Sequence, residues 1–123
     1  MSFVLLVDDS AMIINEVSSF LHTQGIECHV ARNGLEGFQI LQARSDIALA
    51  LVDVNMPVMD GLSMIEKVRQ ELPECNSRFI MLTTEFDRQL KEHGKALGVK
   101  GWIIKPFRGE HAISAIRKFL QHE

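Results

Sequence analysis

Three aspartates, a hydroxyl and a lysine stand where apolar segments of this chain give way to polar ones. Asp8 and Asp9 follow Phe3-Val4-Leu5-Leu6-Val7, Asp53 follows Ala48 to Val52, Thr83 follows Phe79-Ile80-Met81-Leu82, and Lys105 follows Trp102-Ile103-Ile104. Short apolar runs of this kind read as buried strands, and open α/β sheets place their chemistry at the carboxyl ends of the strands. Carboxylates that converge repel one another, which raises their pKa values or strains the fold unless a cation joins them. Magnesium suits such a site, since it is a hard ion that takes oxygen ligands in an octahedron and keeps several waters. Asp9 and Asp53 can bind it directly, a backbone carbonyl near Asn55 can add an oxygen, and Asp8 can act through water. Lys105 closes a strand after two isoleucines and, if buried, needs an anionic partner. Asp53, or a phosphoryl group on Asp53, would serve, and Thr83 can donate its hydroxyl hydrogen to the same phosphoryl oxygens. A carboxylate can act as a covalent nucleophile and form an acyl phosphate. Phosphoryl transfer then needs mostly positioning and charge neutralisation.

Each residue also has a plainer reading. Asp8-Asp9 can be a helix-capping pair, Asp53 a turn former, and Thr83 a β-branched strand residue present for packing. Their joint occurrence at the ends of successive apolar runs favours the chemistry. A calcium loop fails on spacing, because Pro57 falls on a ligand position of Asp53-Val54-Asn55-Met56-Pro57 and no glycine follows where one is required. No Walker-type glycine-rich loop is present, so the phosphoryl donor must be another protein or a small phosphodonor. Pro106 makes a cis bond to Lys105 conceivable, which would aim the lysine inward.

The elements that must hold these residues alternate. Strands are predicted at Phe3 to Val7, Glu27 to Ala31, Ala48 to Val52, Phe79 to Leu82 and Trp102 to Ile104, the second weaker and nearer an edge. Ser10 can cap a helix carrying Ile13, Val17, Phe20 and Leu21, with Gly25 closing it. Asn33-Gly34 turns into a helix marked by Leu35, Phe38 and Leu41. Ile65, Val68 and Leu72 mark a third, ended by Pro73. Asp87 to Leu97 is helical but polar, with Leu90, Ala96 and Leu97 as its burying positions and Gly98 as a left-handed cap. Ala112, Ala115, Ile116, Phe119 and Leu120 mark the closing helix. Five strand–helix units predict one parallel sheet covered on both faces. The flavodoxin-like order 2-1-3-4-5 is the common solution, and it sets the ends of the first and third strands side by side at the switch point.

With 123 residues, one domain spanning 1–123 is expected, and 46% hydrophobic with 24% charged residues is the composition of an ordinary globular chain. A net charge of −3 argues against a chain-wide nucleic-acid footprint. No apolar run approaches the length of a membrane span, and no signal peptide is evident, so a cytoplasmic monomer without membrane contact is expected. Cys28 and Cys75 lie in no metal or redox spacing and read as buried free thiols. His22, His29, His93, His111 and His122 show no metal spacing and read as surface residues.

The chain resembles the receiver domain of two-component response regulators over essentially its full length. The matching pieces are Val7-Asp8-Asp9-Ser10, then Asp53 through Met56-Pro57 and Met59-Asp60-Gly61, then Leu82-Thr83-Thr84, and Lys105-Pro106-Phe107. The resemblance implies phosphorylation at Asp53 by a histidine kinase. It also implies Mg²⁺ held by Asp9, Asp53 and the Asn55 carbonyl with Asp8 assisting, and phosphate contacts from Thr83 and Lys105. Within the family the chain is similar to stand-alone chemotaxis receivers, through Gly94-Lys95-Ala96-Leu97-Gly98 and Gly101 to Phe107. That likeness implies a chemotaxis kinase upstream and a target such as the flagellar motor switch, with a phosphatase or histidine phosphotransfer protein as further partners. Asn55 and Glu85 match positions that tune dephosphorylation, and their pairing is similar to the short-lived kind. Trp102 stands where the family's switch aromatic is usually Tyr or Phe, and Thr84 beside Thr83 is expected to govern its access. The chain ends soon after the last helix, so no output domain is expected. Rival readings are a phosphate sink or phosphorelay intermediate, the receiver portion of a longer regulator, and a phosphatase-like hydrolase. Asn55 weighs against the last, since it replaces the acid such enzymes need two residues past the nucleophile.

Overall fold

The computed structural model describes residues 2–84 and 87–121. Its strands are β1 (Phe3–Val7), β2 (Cys28–Ala31), β3 (Ile47–Asp53), β4 (Arg78–Thr83) and β5 (Gly101–Ile104). Its helices are α1 (Ala11–Thr23), α2 (Gly34–Ala43), α3 (Gly61–Glu71), α4 (Arg88–Ala96) and α5 (Gly109–Gln121). The sheet is five-stranded and parallel in the order β2-β1-β3-β4-β5, the flavodoxin-like arrangement expected from the alternation of elements.

Four of the five turns from strand to helix carry a local side-chain cap. Ser10 Oγ accepts the Ile13 amide at 3.3 Å, Asp60 Oδ1 the Ser63 amide at 2.8 Å, and Asp87 Oδ1 the Leu90 amide at 2.8 Å. At α2 Asn33 Oδ1 accepts from the Glu36 amide, and Glu36 Oε1 accepts from the Arg32 amide just before the cap. Gly25 and Gly98 follow α1 and α4 at φ +77° and +85°, where a side chain would be strained.

The inner strands β1, β3 and β4 are buried on both faces, whereas the edge strands β2 and β5 are only half-buried. Leu5, Val7, Ala50, Val52, Phe79 and Met81 pack toward α2 and α3, with Leu90 and Leu97 partly buried against them. Val4, Leu6, Leu49, Leu51, Ile80 and Leu82 pack toward α1 and α5 through Val17, Leu21, Ala112 and Ile116. Some sequence expectations give way to this packing. Leu35 and Ala96 lie on the exposed sides of their helices, because α2 buries Phe38 and Leu41 while α4 buries Gly94. Cys28 and Cys75 are free but only half-buried. His22, His93 and His111 are exposed, whereas His29 is half-buried against the Phe3 ring at 4.8 Å, and His122 lies outside the described residues. Among the described residues, no helix is long and apolar enough to cross a membrane.

Candidate functional site

The parallel register assembles the site. Val7 pairs with Val52, so the next residue on each strand, Asp8 and Asp53, leaves the sheet at the same level. Thr83 ends β4 opposite Ile104, and Lys105 follows at once. Backbone bonds hold these ends in place: the Asp8 amide donates to the Ala31 carbonyl at 3.0 Å, Val54 to Leu82 at 3.1 Å, and Lys105 to Thr83 at 2.8 Å. The Lys105–Pro106 peptide bond is cis.

Asp8 is fully buried and Asp53 is 7% exposed, whereas Asp9 is exposed. One carboxylate oxygen from each of the three lies within 4.8 Å of the others, the only such group of potential metal ligands among the described residues. The two oxygens of Asp8 are divided between tasks. Oδ1 accepts the Ser10 amide at 2.9 Å, and Oδ2 faces Lys105 Nζ at 3.0 Å. The same Nζ donates to Asp53 Oδ1 at 3.1 Å. The sequence suggests Asp53 as the partner of Lys105; its second partner, Asp8, emerges only from the fold.

The electrostatics are unbalanced. Burial pushes the Asp53 carboxyl above its ordinary range, and the neighbouring charge of Asp8 adds to this; Lys105 pulls the other way without cancelling it. Burial favours loss of the Lys105 proton, but the hydrogen bonds and charges of Asp8 and Asp53 outweigh it, so the ammonium is held more tightly than usual. Three carboxylates against one ammonium leave an all-oxygen, net anionic cluster. That donor set fits a hard divalent cation such as Mg²⁺.

Thr83 is 1% exposed, at the end of β4. Thr84 is exposed and Asn55 lies exposed in the loop after β3. Glu85 lies outside the described residues. Trp102 is half-buried, packed with Leu90, Leu97 and Val99 against the core on the α3 side.

Two structural constraints were not read from the sequence. A Cβ on Gly61 would stand 2.2 Å from the backbone oxygen of Asp53, so the start of α3 can approach the acid only as glycine. Val58 has φ +69°, and around it the Met59 amide donates to the Pro57 carbonyl at 2.7 Å, closing a γ-turn in the loop beside the acids. A valine carries no signal for that conformation, whereas Gly61 was legible as part of a motif.

A model of the response regulator receiver domain matches residues 4–117. A chemotaxis protein CheY homolog of Campylobacter jejuni is 33% identical over 108 residues, covering 85% of this chain and 81% of that protein. A probable transcriptional regulator, ycf29, of Porphyra purpurea is 28% identical over 120 residues, covering 98% of this chain. The chain spans only 57% of that algal protein. Among solved structures, the Vibrio cholerae chemotaxis protein CheY4 superposes with a TM-score of 0.88 at 37% identity, covering 98% of this chain and 99% of that one.

Proposed function

The chain belongs to the response regulator receiver domain family, and on that footing we propose that residues 1–123 form a single receiver that accepts a phosphoryl group on Asp53 from a chemotaxis-type histidine kinase. The observation that carries this reading is the single Lys105 ammonium spanning Asp8 and Asp53 beside a third carboxylate. An Asp53 oxygen attacks phosphorus as the N–P bond of a phosphohistidine breaks. The bonding pair returns to the imidazole nitrogen, which recovers a proton from water. Lys105 then shifts from the carboxylate toward the new phosphoryl oxygens while keeping Asp8, and Thr83 donates its hydroxyl hydrogen to them. Bound Mg²⁺ supplies charge neutralisation at the oxygens. Asp9, Asp53 and the Asn55 carbonyl would hold it, with Asp8 assisting through water. Asn55 and Glu85 would set the lifetime of the phosphate.

The added charge draws Thr83 toward the phosphoryl group and opens room for Trp102, with Thr84 bordering that path. The surface of α4, β5 and α5 then changes, a population shift driven by local electrostatics. A polar α4 with one buried residue suits a movable element. The groove between β5 and α5, lined by Trp102, Ile104, Pro106, Ala112 and Arg108, combines an apolar floor with a guanidinium and suits an acidic, partly apolar target segment. In a chemotaxis pathway the flagellar motor switch would be that target. In this reading the protein is a signalling module whose only catalysis is its own phosphorylation and dephosphorylation, acting as a cytoplasmic monomer.

The test measures binding of the motor switch protein's N-terminal peptide with and without Mg²⁺ and beryllofluoride, a mimic of the phosphoryl group on Asp53. Tight binding only with beryllofluoride is expected. Equal affinity in both states overturns the motor-directed switch. A clear Trp102 fluorescence response without peptide binding moves the assignment to a phosphate sink, a phosphorelay intermediate or another target. The longer algal relative favours one further reading, the receiver portion of a larger regulator, which the adjoining coding sequence decides.

A further inference from the structure

Gly94 is the one buried residue of α4, and it lies in the body of the helix. Its backbone is helical, so no left-handed conformation demands glycine there. Glycine inside a helix is less stable than alanine, because it loses more backbone freedom. The reason for it is lateral. A Cβ at this position would stand 2.7 Å from Cζ2 and 3.3 Å from Cη2 of Trp102, and 3.5 Å from Cβ of Val99. The six-membered ring of the indole therefore occupies the space that any side chain on Gly94 would fill.

Arg69 Nε donates to the Leu97 carbonyl at 2.9 Å, His93 pairs with Glu66 at 3.1 Å, and Leu90 and Leu97 are only half-buried. The two ion-pair and hydrogen-bond links join α4 to α3. Toward β5, Gly94 meets the indole.

We propose that Gly94 is a seat cut to the shape of the Trp102 indole, that it holds this ring against α4 in the resting protein, and that leaving the seat is coupled to occupation of Asp53. The coupling rests on the reading of Trp102 as a switch residue given above; the seat does not. Coupling between two sites is reciprocal. If the phosphoryl mimic drives the indole off Gly94, filling the seat must favour the mimic-bound state. Gly94 thus becomes a positioning residue that sets the gain of the response without touching the acids.

The chain contains one tryptophan, so its emission reports this ring alone. The experiment titrates Mg²⁺ and beryllofluoride into the full chain and into Gly94→Ala, following Trp102 emission and acrylamide quenching. Expected for Gly94→Ala are a red-shifted, more readily quenched resting emission and an affinity for beryllofluoride raised by about fivefold or more. Resting emission and quenching identical to the parent overturn the seat. A shifted resting emission with unchanged beryllofluoride affinity overturns the coupling. If the parent binds beryllofluoride with no change in emission, the switch reading fails and the coupling with it, while the seat is still decided by the resting spectra. Urea unfolding guards against general damage. Gly94→Ala should destabilise the parent yet be neutral or stabilising in a Trp102→Phe background, where the smaller ring leaves the seat open. Destabilisation that persists in that background overturns the proposal.

Discussion

Lys105 reaches past β4 and β3 to place its Nζ 3.0 Å from Oδ2 of Asp8, which ends a strand two removed from its own neighbour in the sheet. On the way it meets Asp53 Oδ1 at 3.1 Å. One ammonium thus ties the last strand to the first and third at the end where the acids gather.

Removing that ammonium leaves two buried carboxylates without their cation. Lys105→Met should lower stability at pH 7 by about 1–3 kcal/mol, the range for a buried group stripped of its partner. Added Mg²⁺ should restore much of the loss, because it neutralises the same acids. Urea unfolding with and without Mg²⁺ measures both, and a variant as stable as the parent would mean that the pair contributes nothing net.

Asp53 carries a charge the fold disfavours. Its carboxyl is raised in the folded state, mainly by burial and then by Asp8. A raised folded pKa means that stability from this group is fully present below the ordinary carboxylate value of about 4 and is lost as pH rises through the raised one. Asp53→Asn, uncharged throughout, should therefore be more stable than the parent at pH 7, by on the order of 1 kcal/mol. The advantage should vanish as the pH is lowered below about 4. Unfolding curves across this range test the sign, and the same variant should take no label from acetyl phosphate.

Mg²⁺ should stabilise the folded chain by mass action, about 2.7 kcal/mol at a hundred times its Kd. Asp9→Asn removes the exposed ligand without disturbing the buried pair, so the stabilisation should fall sharply while stability without metal changes little. Thermal melts at graded Mg²⁺ distinguish this from a site that does not need Asp9.

Val58 holds a left-handed backbone at φ +69° while 76% exposed. An L side chain there costs about 1–2 kcal/mol, and the exposed isopropyl group recovers little of it by packing. Val58→Gly should raise stability by about 0.5–1 kcal/mol once the greater freedom of the unfolded glycine is subtracted. A loss in urea unfolding would show that the side chain makes contacts that matter.

The elements along the chain and the acids at their ends are legible in the sequence alone. Apolar runs ending in Asp8, Asp53, Thr83 and Lys105, with Ser10, Asp60 and Asp87 at helix starts, are local patterns, and local patterns are written in adjacent residues. The 2-1-3-4-5 order followed from the alternation of elements only as the common solution for five units; pairing settles it. Relations between residues far apart in the chain come only with the folded sheet. Asp8 as the second partner of Lys105 depends on the sheet register, since a shift of one residue would turn the side chain to the other face. Likewise no neighbouring residue explains the glycines at positions 94 and 61. Their reasons are the Trp102 ring and the Asp53 carbonyl, which only the folded chain brings within van der Waals reach. Val58 is the extreme case, because its left-handed backbone is imposed by the loop that must close between β3 and α3, against the preference of its own side chain.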